Sequence, residues 1–281
     1  RGLGDVYKRQ GQDSALAGVE LVSGVTYSST AFRNAVTDAY TALFAVADVA
    51  AGEMSDDQMA AEAIGELLPS SLDNTGACKV EENDGLFVSS NRTGYAMVAD
   101  KVAYVTDAFG NYVGSKSFDD AASEDASVVE AVKTAAAGAY AAASEKNISR
   151  IVKMYKDAEV VTLTPTGVQS TVNGAYTFTS EGATYYAMTA SAFGYGGPVN
   201  LLYIVDENGT IAKFKVMSHN ETEYYGDVVS QSSYTNGYPG QQLDSIGDDV
   251  LVVSGCTFTT NAVKTAAADV AAAFNAVKEA Q

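Results

Sequence analysis

The chain has 281 residues, 17 of them basic and 35 acidic, which gives a formal net charge of −18. So large an excess of negative charge disfavours binding to a phosphate backbone, and nucleic acid is therefore excluded as a partner. Apolar residues make up 47% of the chain, enough to build the cores of about two domains. The two cysteines, Cys78 and Cys256, lack the spacing of a zinc site or a disulfide framework.

Residues 1–10, RGLGDVYKRQ, are expected to be an artefact. The stretch Asp5–Gln10 resembles the translation of an adapter used in sequencing libraries, and position 1 is not methionine. We therefore expect the chain to be a fragment whose signal peptide or membrane anchor lies upstream. The sequence contains no run that approaches the ~20 consecutive apolar residues of a membrane-spanning helix.

Two stretches of the chain are repeats of each other. Residues 13–36 read DSALAGVELVSGVTYSSTAFRNAV, residues 244–267 read DSIGDDVLVVSGCTFTTNAVKTAA, and they align without a gap. The alignment places Thr26 opposite Thr257, each at the end of an SGxT motif. Apolar residues three or four apart follow both motifs, which predicts an amphipathic helix. Each copy is thus predicted to be a strand, an SGxT turn and a helix N-terminus.

A decayed third copy is one interpretation of the middle of the chain. The heptapeptide AVKTAAA occurs at 131–137 and again at 262–268. This register would place Ala126 at the position of Thr257, so that such a copy would have no acceptor hydroxyl. Chance recurrence of an Ala-rich helical composition explains the heptapeptide equally well.

Hydrophobic periodicity predicts the order of elements. A helix over 55–68 ends at Pro69, strand-like runs fill 85–114, and a long Ala-rich helix covers 123–155. Strand-like runs follow from 157 on, and Asn208-Gly209 is predicted to supply the positive φ angles of a hairpin turn.

These patterns predict an α+β fold, an antiparallel sheet with flanking helices, in a truncated tandem repeat. After the artefact at 1–10, residues 11–50 are predicted to be the C-terminal tail of a truncated domain. Residues 51–156 would form a helical and strand-rich intermediate region, for which a degenerate repeat is one interpretation, and 157–281 a complete domain.

Four features of the last region occur in a fixed order and carry a resemblance to a known family. They are FGYGGPVNLLYIVDENG at 193–209, KVMSHNETEYYGD at 215–227, SGCTFTTNAV at 254–263, and a closing helix. The series resembles the FMN-binding domain of the G subunit of Rnf electron-transport complexes and of the C subunit of sodium-pumping NADH:quinone reductase. The same domain recurs in extracellular flavoproteins of respiratory chains.

The resemblance implies covalent FMN. In the family, the threonine of Ser-Gly-Ala-Thr is joined to FMN by a phosphoester that a flavin transferase makes, which assigns this role to Thr257 and, as a second candidate, to Thr26. Gly255 has no Cβ to obstruct the phosphate, and the following helix directs N–H groups toward it. The motif and its surroundings give four further cofactor-binding candidates: Ser254, Gly255, Cys256 and Thr259. The alternative is an ordinary turn and helix cap.

The sequence departs from the family pattern in two places. Leu251 stands where the family commonly has Asp three residues before the Ser, and Cys256 replaces Ala. In the second loop, Glu223-Tyr224-Tyr225 stands where Pro-Gly-Leu is usual.

The other two loops supply the remaining cofactor-binding candidates. Gly196 and Gly197 could let the backbone approach the flavin ring, although a tight turn before a strand is the plainer explanation. The family context places His219 near the flavin, with Glu221 and Thr222 as polar contacts. His219 is the only histidine of the chain, and on its own it would more often be a structural loop residue.

The function that follows from the resemblance is electron transfer outside the cytoplasm. We expect an electron carrier of the cell envelope or cell surface, anchored in its full-length form, and not a stand-alone enzyme. A flavin transferase, a membrane electron donor and redox acceptor proteins are the expected partners. No catalytic residue and no metal site is predicted. The alternatives are a flavin-feeding module of a larger reductase and a non-redox surface protein that keeps the fold.

Overall fold

The computed structural model describes residues 54–166, 170–223 and 226–280, together with the single residue Ala35. Everything below belongs to the compact unit formed by residues 56–281. The predictions for the segment 11–50, including the role of Thr26, lie outside the described residues. The boundary predicted at residue 157 stays a prediction.

The described part of the chain contains ten strands and five α-helices. The strands are β1 Val80–Asn83, β2 Leu86–Ser89, β3 Gly94–Ala99, β4 Val102–Asp107, β5 Tyr112–Ser117, β6 Glu159–Leu163, β7 Val172–Ser180, β8 Ala183–Phe193, β9 Pro198–Asp206 and β10 Ile211–Ser218. The helices are α1 Asp56–Leu67, α2 Ala126–Met154, α3 Ser232–Thr235, α4 Leu243–Asp249 and α5 Thr257–Glu279.

The strands form two five-stranded sheets, β1 to β5 and β6 to β10, each in chain order. All strand pairs are antiparallel. Alternating residues of β8 and β9 divide between two cores, one against α5 and one against the C-terminal half of α2. The predicted α+β class, an antiparallel sheet with flanking helices, is confirmed, and two sheets of identical order fit a tandem repeat.

The last hairpin of each sheet has the same turn. The Asp107 carboxylate accepts hydrogen bonds from the N–H groups two and four residues later, at 2.8 and 2.9 Å. The Asp206 carboxylate does the same at 2.9 and 2.8 Å. An aspartate that bonds the backbone two residues on fixes such turns. Of Asn208 and Gly209, only Gly209 takes a positive φ, 81°. The expectation of a positive φ at Asn208 is therefore wrong, because the longer loop needs one such residue instead of two.

Helices α2 and α5 begin at equivalent positions of the sequence. α2 starts at Ala126 and α5 at Thr257, and each start lies five residues before AVKTAAA. The shared register extends the similarity between the two halves from the sheets to the helices that follow them. No helix within the described ranges combines the length and apolar character needed to cross a membrane.

Candidate functional site

Three segments meet at one edge of the second sheet. Phe193 at the end of β8 pairs with Pro198 at the start of β9, and Ser218 at the end of β10 pairs with Asn200. Because antiparallel neighbours start and end at the same edge, the 194–197 loop lies beside the segment that follows β10. The start of α5 completes the group, because Thr259 bonds to Glu221 and Phe258 lies near Tyr195.

Thr257 is the first residue of α5, and its side chain is exposed. The preceding turn contains Gly255 at φ +85°, a left-handed conformation that favours glycine. Ser254 is exposed beside it, and Cys256 occupies the N-cap position half-buried. The predicted turn and helix start are therefore both present, and they leave the Thr257 hydroxyl accessible from solvent.

The N-terminus of α5 carries no side-chain capping hydrogen bond at Cys256. α2 differs at the equivalent position, where the Asp125 carboxylate accepts the Ser127 N–H at 2.7 Å. The first-turn N–H groups of any helix lack intrahelical acceptors, and together with the helix dipole they favour an anion. In α2 the Asp125 carboxylate accepts one of these N–H groups, whereas in α5 the side chain of the N-cap residue accepts none.

Glu221 connects the three segments. Its carboxylate accepts the Thr259 hydroxyl at 2.6 Å and the Gly196 N–H at 3.0 Å. Its own N–H donates to Nδ1 of His219 at 3.2 Å. His219 therefore accepts a hydrogen bond from the backbone of its own loop. Glu221 joins that loop to residues 194–197, the glycine loop, and to the first turn of α5.

Glycine is required where these segments touch. A Cβ on Gly196 would lie 2.2 Å from the Asn220 carbonyl oxygen, and a Cβ on Gly226 would lie 2.4 Å from a Glu221 carboxylate oxygen. Gly194 is in the same situation, with a Cβ 2.3 Å from the other oxygen of Glu221. Gly197 instead has room around it and takes φ +138°. Backbone packing thus explains Gly196, the nearby Glu221 carboxylate explains Gly194, and the left-handed φ explains Gly197.

Two partly exposed aromatic rings lie beside Thr257. Tyr195 is 48% exposed and Phe258 46% exposed, and their ring centroids are 6.4 Å apart at an interplanar angle of 40°. Leu251 and Val252, in the segment before the SGCT turn, are also exposed. The exposed pair of rings offers an apolar surface that a ligand or partner could contact.

Two carboxylates give the site a negative potential. Desolvation raises the pKa of the Cys256 thiol, and the negative charges of Asp227 and Glu221 raise it further. The thiol is thus protonated at neutral pH. Oδ1 of Asp227 is buried and has no hydrogen-bond partner among the described residues, so this oxygen can accept a hydrogen bond from a ligand.

The structure brings together most of the residues that the sequence singled out. Thr222 is exposed on the loop and is not part of the contacts around Glu221. Sequence reasoning did not find the roles of Asn220, Gly226, Asp227 and Phe258. Phe258 directly follows Thr257, and that adjacency was the available signal.

Comparison with known proteins gives two matches. Residues 194–272 match the family described as the FMN-binding domain. The G subunit of the proton-translocating ferredoxin:NAD(+) oxidoreductase complex of Clostridium ljungdahlii is 29% identical over 86 residues, which are 28% of this chain and 46% of the relative. The chain therefore spans less than half the length of that curated relative.

Proposed function

The chain belongs to the FMN-binding domain family through residues 194–272, and on that premise we propose that it is an extracytoplasmic electron-transfer flavoprotein with FMN covalently bound to Thr257. A membrane electron donor and a redox acceptor protein would be its partners. A flavin transferase would attach the cofactor. The presence of a ferredoxin:NAD(+) oxidoreductase component among its relatives supports the electron-transfer role.

The observation that carries the proposal is the position of Thr257. Thr257 is exposed at the first residue of α5, and the N-cap residue of that helix, Cys256, makes no side-chain capping hydrogen bond. A phosphoester forms when the Thr257 Oγ bonds to phosphorus, the hydroxyl proton leaves, and the transferase's flavin nucleotide substrate provides the leaving group. Helix N–H groups and the dipole then stabilise the phosphate, an effect of about 0.3–1 kcal/mol for one charge at an exposed helix end.

The residues around Thr257 fit the rest of the cofactor. Tyr195 and Phe258 offer ring faces to the isoalloxazine, as aromatic side chains commonly do. The buried Oδ1 of Asp227 can accept a hydrogen bond from a ribityl hydroxyl or a ring N–H. FMN supplies the ability to take up and release one or two electrons, and the protein supplies binding and electrostatic tuning.

Electrostatics favour a low reduction potential. Glu221 and Asp227 lie close enough to Cys256 to raise the pKa of its thiol, and Cys256 is the neighbour of Thr257. Reduction adds electrons to the cofactor, and nearby carboxylates oppose the added negative charge. This suits a carrier that accepts electrons from a low-potential donor.

The proposal is tested by co-expression with a flavin transferase and intact mass measurement. We expect one adduct with the mass of FMN less one water, mapped to Thr257. Thr257→Val should lose it and Thr257→Ser should retain it. Thr134→Val, at an exposed threonine of α2, is the matched control and should be fully loaded. An adduct that persists in Thr257→Val would refute the assignment.

Redox function is measured separately on the loaded protein. We expect reversible reduction and reoxidation of the bound flavin in a spectroelectrochemical titration. A loaded protein whose flavin does not cycle would contradict the electron-transfer role while leaving the attachment intact.

A further inference from the structure

Two asparagine side chains of the first half of the chain hold the end of β8. Nδ2 of Asn74 donates a hydrogen bond to the Gly194 carbonyl oxygen. Nδ2 of Asn91 donates to the Ser191 carbonyl oxygen at 3.1 Å and to the Ser70 carbonyl oxygen at 2.6 Å. We call Asn74 and Asn91 the amide clamp. The acceptors Ser191 and Gly194 both lie where β8 runs into the glycine loop.

A fixed loop presents Asn74. The neighbouring Asp73 carboxylate accepts the N–H groups of Thr75 at 2.8 Å and Ala77 at 3.1 Å. It also forms an ion pair with Lys79 at 3.2 Å. Partial desolvation opposes ionisation of Asp73, but the hydrogen bonds from Thr75, Ala77 and Lys79 outweigh it and lower the pKa. The turn is therefore formed at neutral pH without a contribution from Asn74, whose amide is left to bind elsewhere.

Asn91 is part of a buried network. It is only 1% exposed. Its backbone carbonyl oxygen accepts a hydrogen bond from Nδ2 of Asn173 in β7 at 3.1 Å. Oδ1 of Asn173 in turn accepts the Thr189 hydroxyl of β8 at 2.8 Å. Buried polar groups that are satisfied in this way fix one arrangement of the chain. The clamp thus rests on rigid parts of the fold.

The acceptor of Asn74 has a second constraint. The Gly194 N–H donates to the Gly197 carbonyl at 2.8 Å, which closes the glycine loop. Because Asn74 also binds the Gly194 carbonyl, the peptide groups on both sides of Gly194 are fixed. These two hydrogen bonds therefore determine the direction in which the chain presents Tyr195. Gly196 is then in place to donate to Glu221.

We propose that Asn74 is a positioning residue of the flavin site, acting through the Gly194 carbonyl on the loop that carries Tyr195 and Gly196. The residue lies 120 positions before its acceptor and outside the segment that matches the FMN-binding domain family. The flavin site of this chain thus includes a loop of its first half. The effect of Asn74 on a bound flavin rests on the proposed function, whereas its effect on the glycine loop does not.

The first test needs no flavin. Hydrogen exchange of the full chain is compared for the wild type, Asn74→Asp, Asn74→Ala and the control Asn83→Ala, an exposed asparagine of β1. A net hydrogen bond is worth about 1 kcal/mol, so the amides of the 194–197 loop should exchange roughly fivefold faster in both Asn74 variants. Asn83→Ala should match the wild type. Unchanged exchange in both Asn74 variants overturns the proposal, and Asn74→Ala decides the matter if Asn74→Asp does not fold.

The second test uses the same proteins loaded with FMN at equal stoichiometry. We expect iodide to quench the flavin fluorescence about twofold more strongly in Asn74→Asp and Asn74→Ala, because Tyr195 no longer shields the ring. Asn74→Ser should restore part of the protection. Equal quenching with faster exchange overturns the flavin role but keeps the loop anchor. A wild-type chain that takes up no flavin refutes the proposed function, and the exchange result alone then decides whether Asn74 anchors the loop.

Discussion

The Thr259 hydroxyl donates a 2.6 Å hydrogen bond to the carboxylate of Glu221 and thereby joins α5 to the segment that follows β10. Thr259 is 1% exposed, so the contact is shielded from water on one side. The same carboxylate holds the Gly196 N–H. A single carboxylate therefore links three segments of the chain.

Removal of either partner should destabilise the protein. We expect Glu221→Gln and Thr259→Val each to lower the free energy of unfolding by about 1–3 kcal/mol, the usual cost of an unsatisfied group in a hydrogen bond to a charge. Denaturant unfolding of both variants and of the double variant measures this. Because the partners share one interaction, the double variant should lose less than the two single losses together. Strict additivity would show that the contact contributes nothing.

Gly196→Ala should disturb the site as well as the stability. The new Cβ would lie 2.2 Å from the Asn220 carbonyl oxygen, which is backbone and cannot rotate away. We expect a lower melting temperature and reduced covalent flavin. Gly138→Ala in α2 is the matched control, since its Cβ meets nothing within 4 Å and alanine in a helix interior should stabilise by about 0.5–1 kcal/mol. Equal effects of the two substitutions would contradict close packing at Gly196.

A better helix cap at Cys256 should work against flavin attachment. Cys256→Asp would give α5 the side-chain cap that Asp125 gives α2, and a good N-cap is worth about 0.5–2 kcal/mol. The added carboxylate would also accept hydrogen bonds from the N–H groups that we propose bind the phosphate, and its negative charge would repel the phosphate. We expect a raised melting temperature with less covalent FMN by intact mass, while Cys256→Ala should be loaded as well as the wild type. Full loading of Cys256→Asp would argue against phosphate binding at this helix end.

The Cys256 thiol should alkylate slowly at neutral pH. Desolvation, Asp227 and Glu221 all raise its pKa above the ordinary 9.0, so the reactive thiolate forms only at higher pH than in an unfolded peptide. Iodoacetamide labelling followed by peptide mass analysis, across a pH series, should show this delay. Glu221→Gln removes one negative charge and should move the labelling curve to lower pH. An unmoved curve would place Glu221 too far away to act on the site.

The local features of the site could be read from the sequence, and the long-range ones could not. The SGCT turn, the helix that begins at Thr257 and the glycine loop follow from short motifs with their own backbone requirements. Asn74 contacts a loop 120 residues away, and no local pattern reports on that distance. Asp227 is a similar case, because a buried oxygen without a hydrogen-bond partner among the described residues can be recognised only in the structure. The hairpin at Asn208 was mispredicted in detail because the Asp206 side chain selects a different turn.

Helix α2 has 29 residues, a length of about 43 Å at the usual rise. Its N-terminal half packs Val132 against Val102 and Tyr104 of the first sheet, while its C-terminal half packs Ile151 among the strands of the second. α1 covers the other face of the first sheet and α5 the other face of the second. One continuous helix therefore covers a face of both sheets, so that a kink between Val132 and Ile151 would move the cover of one sheet relative to that of the other.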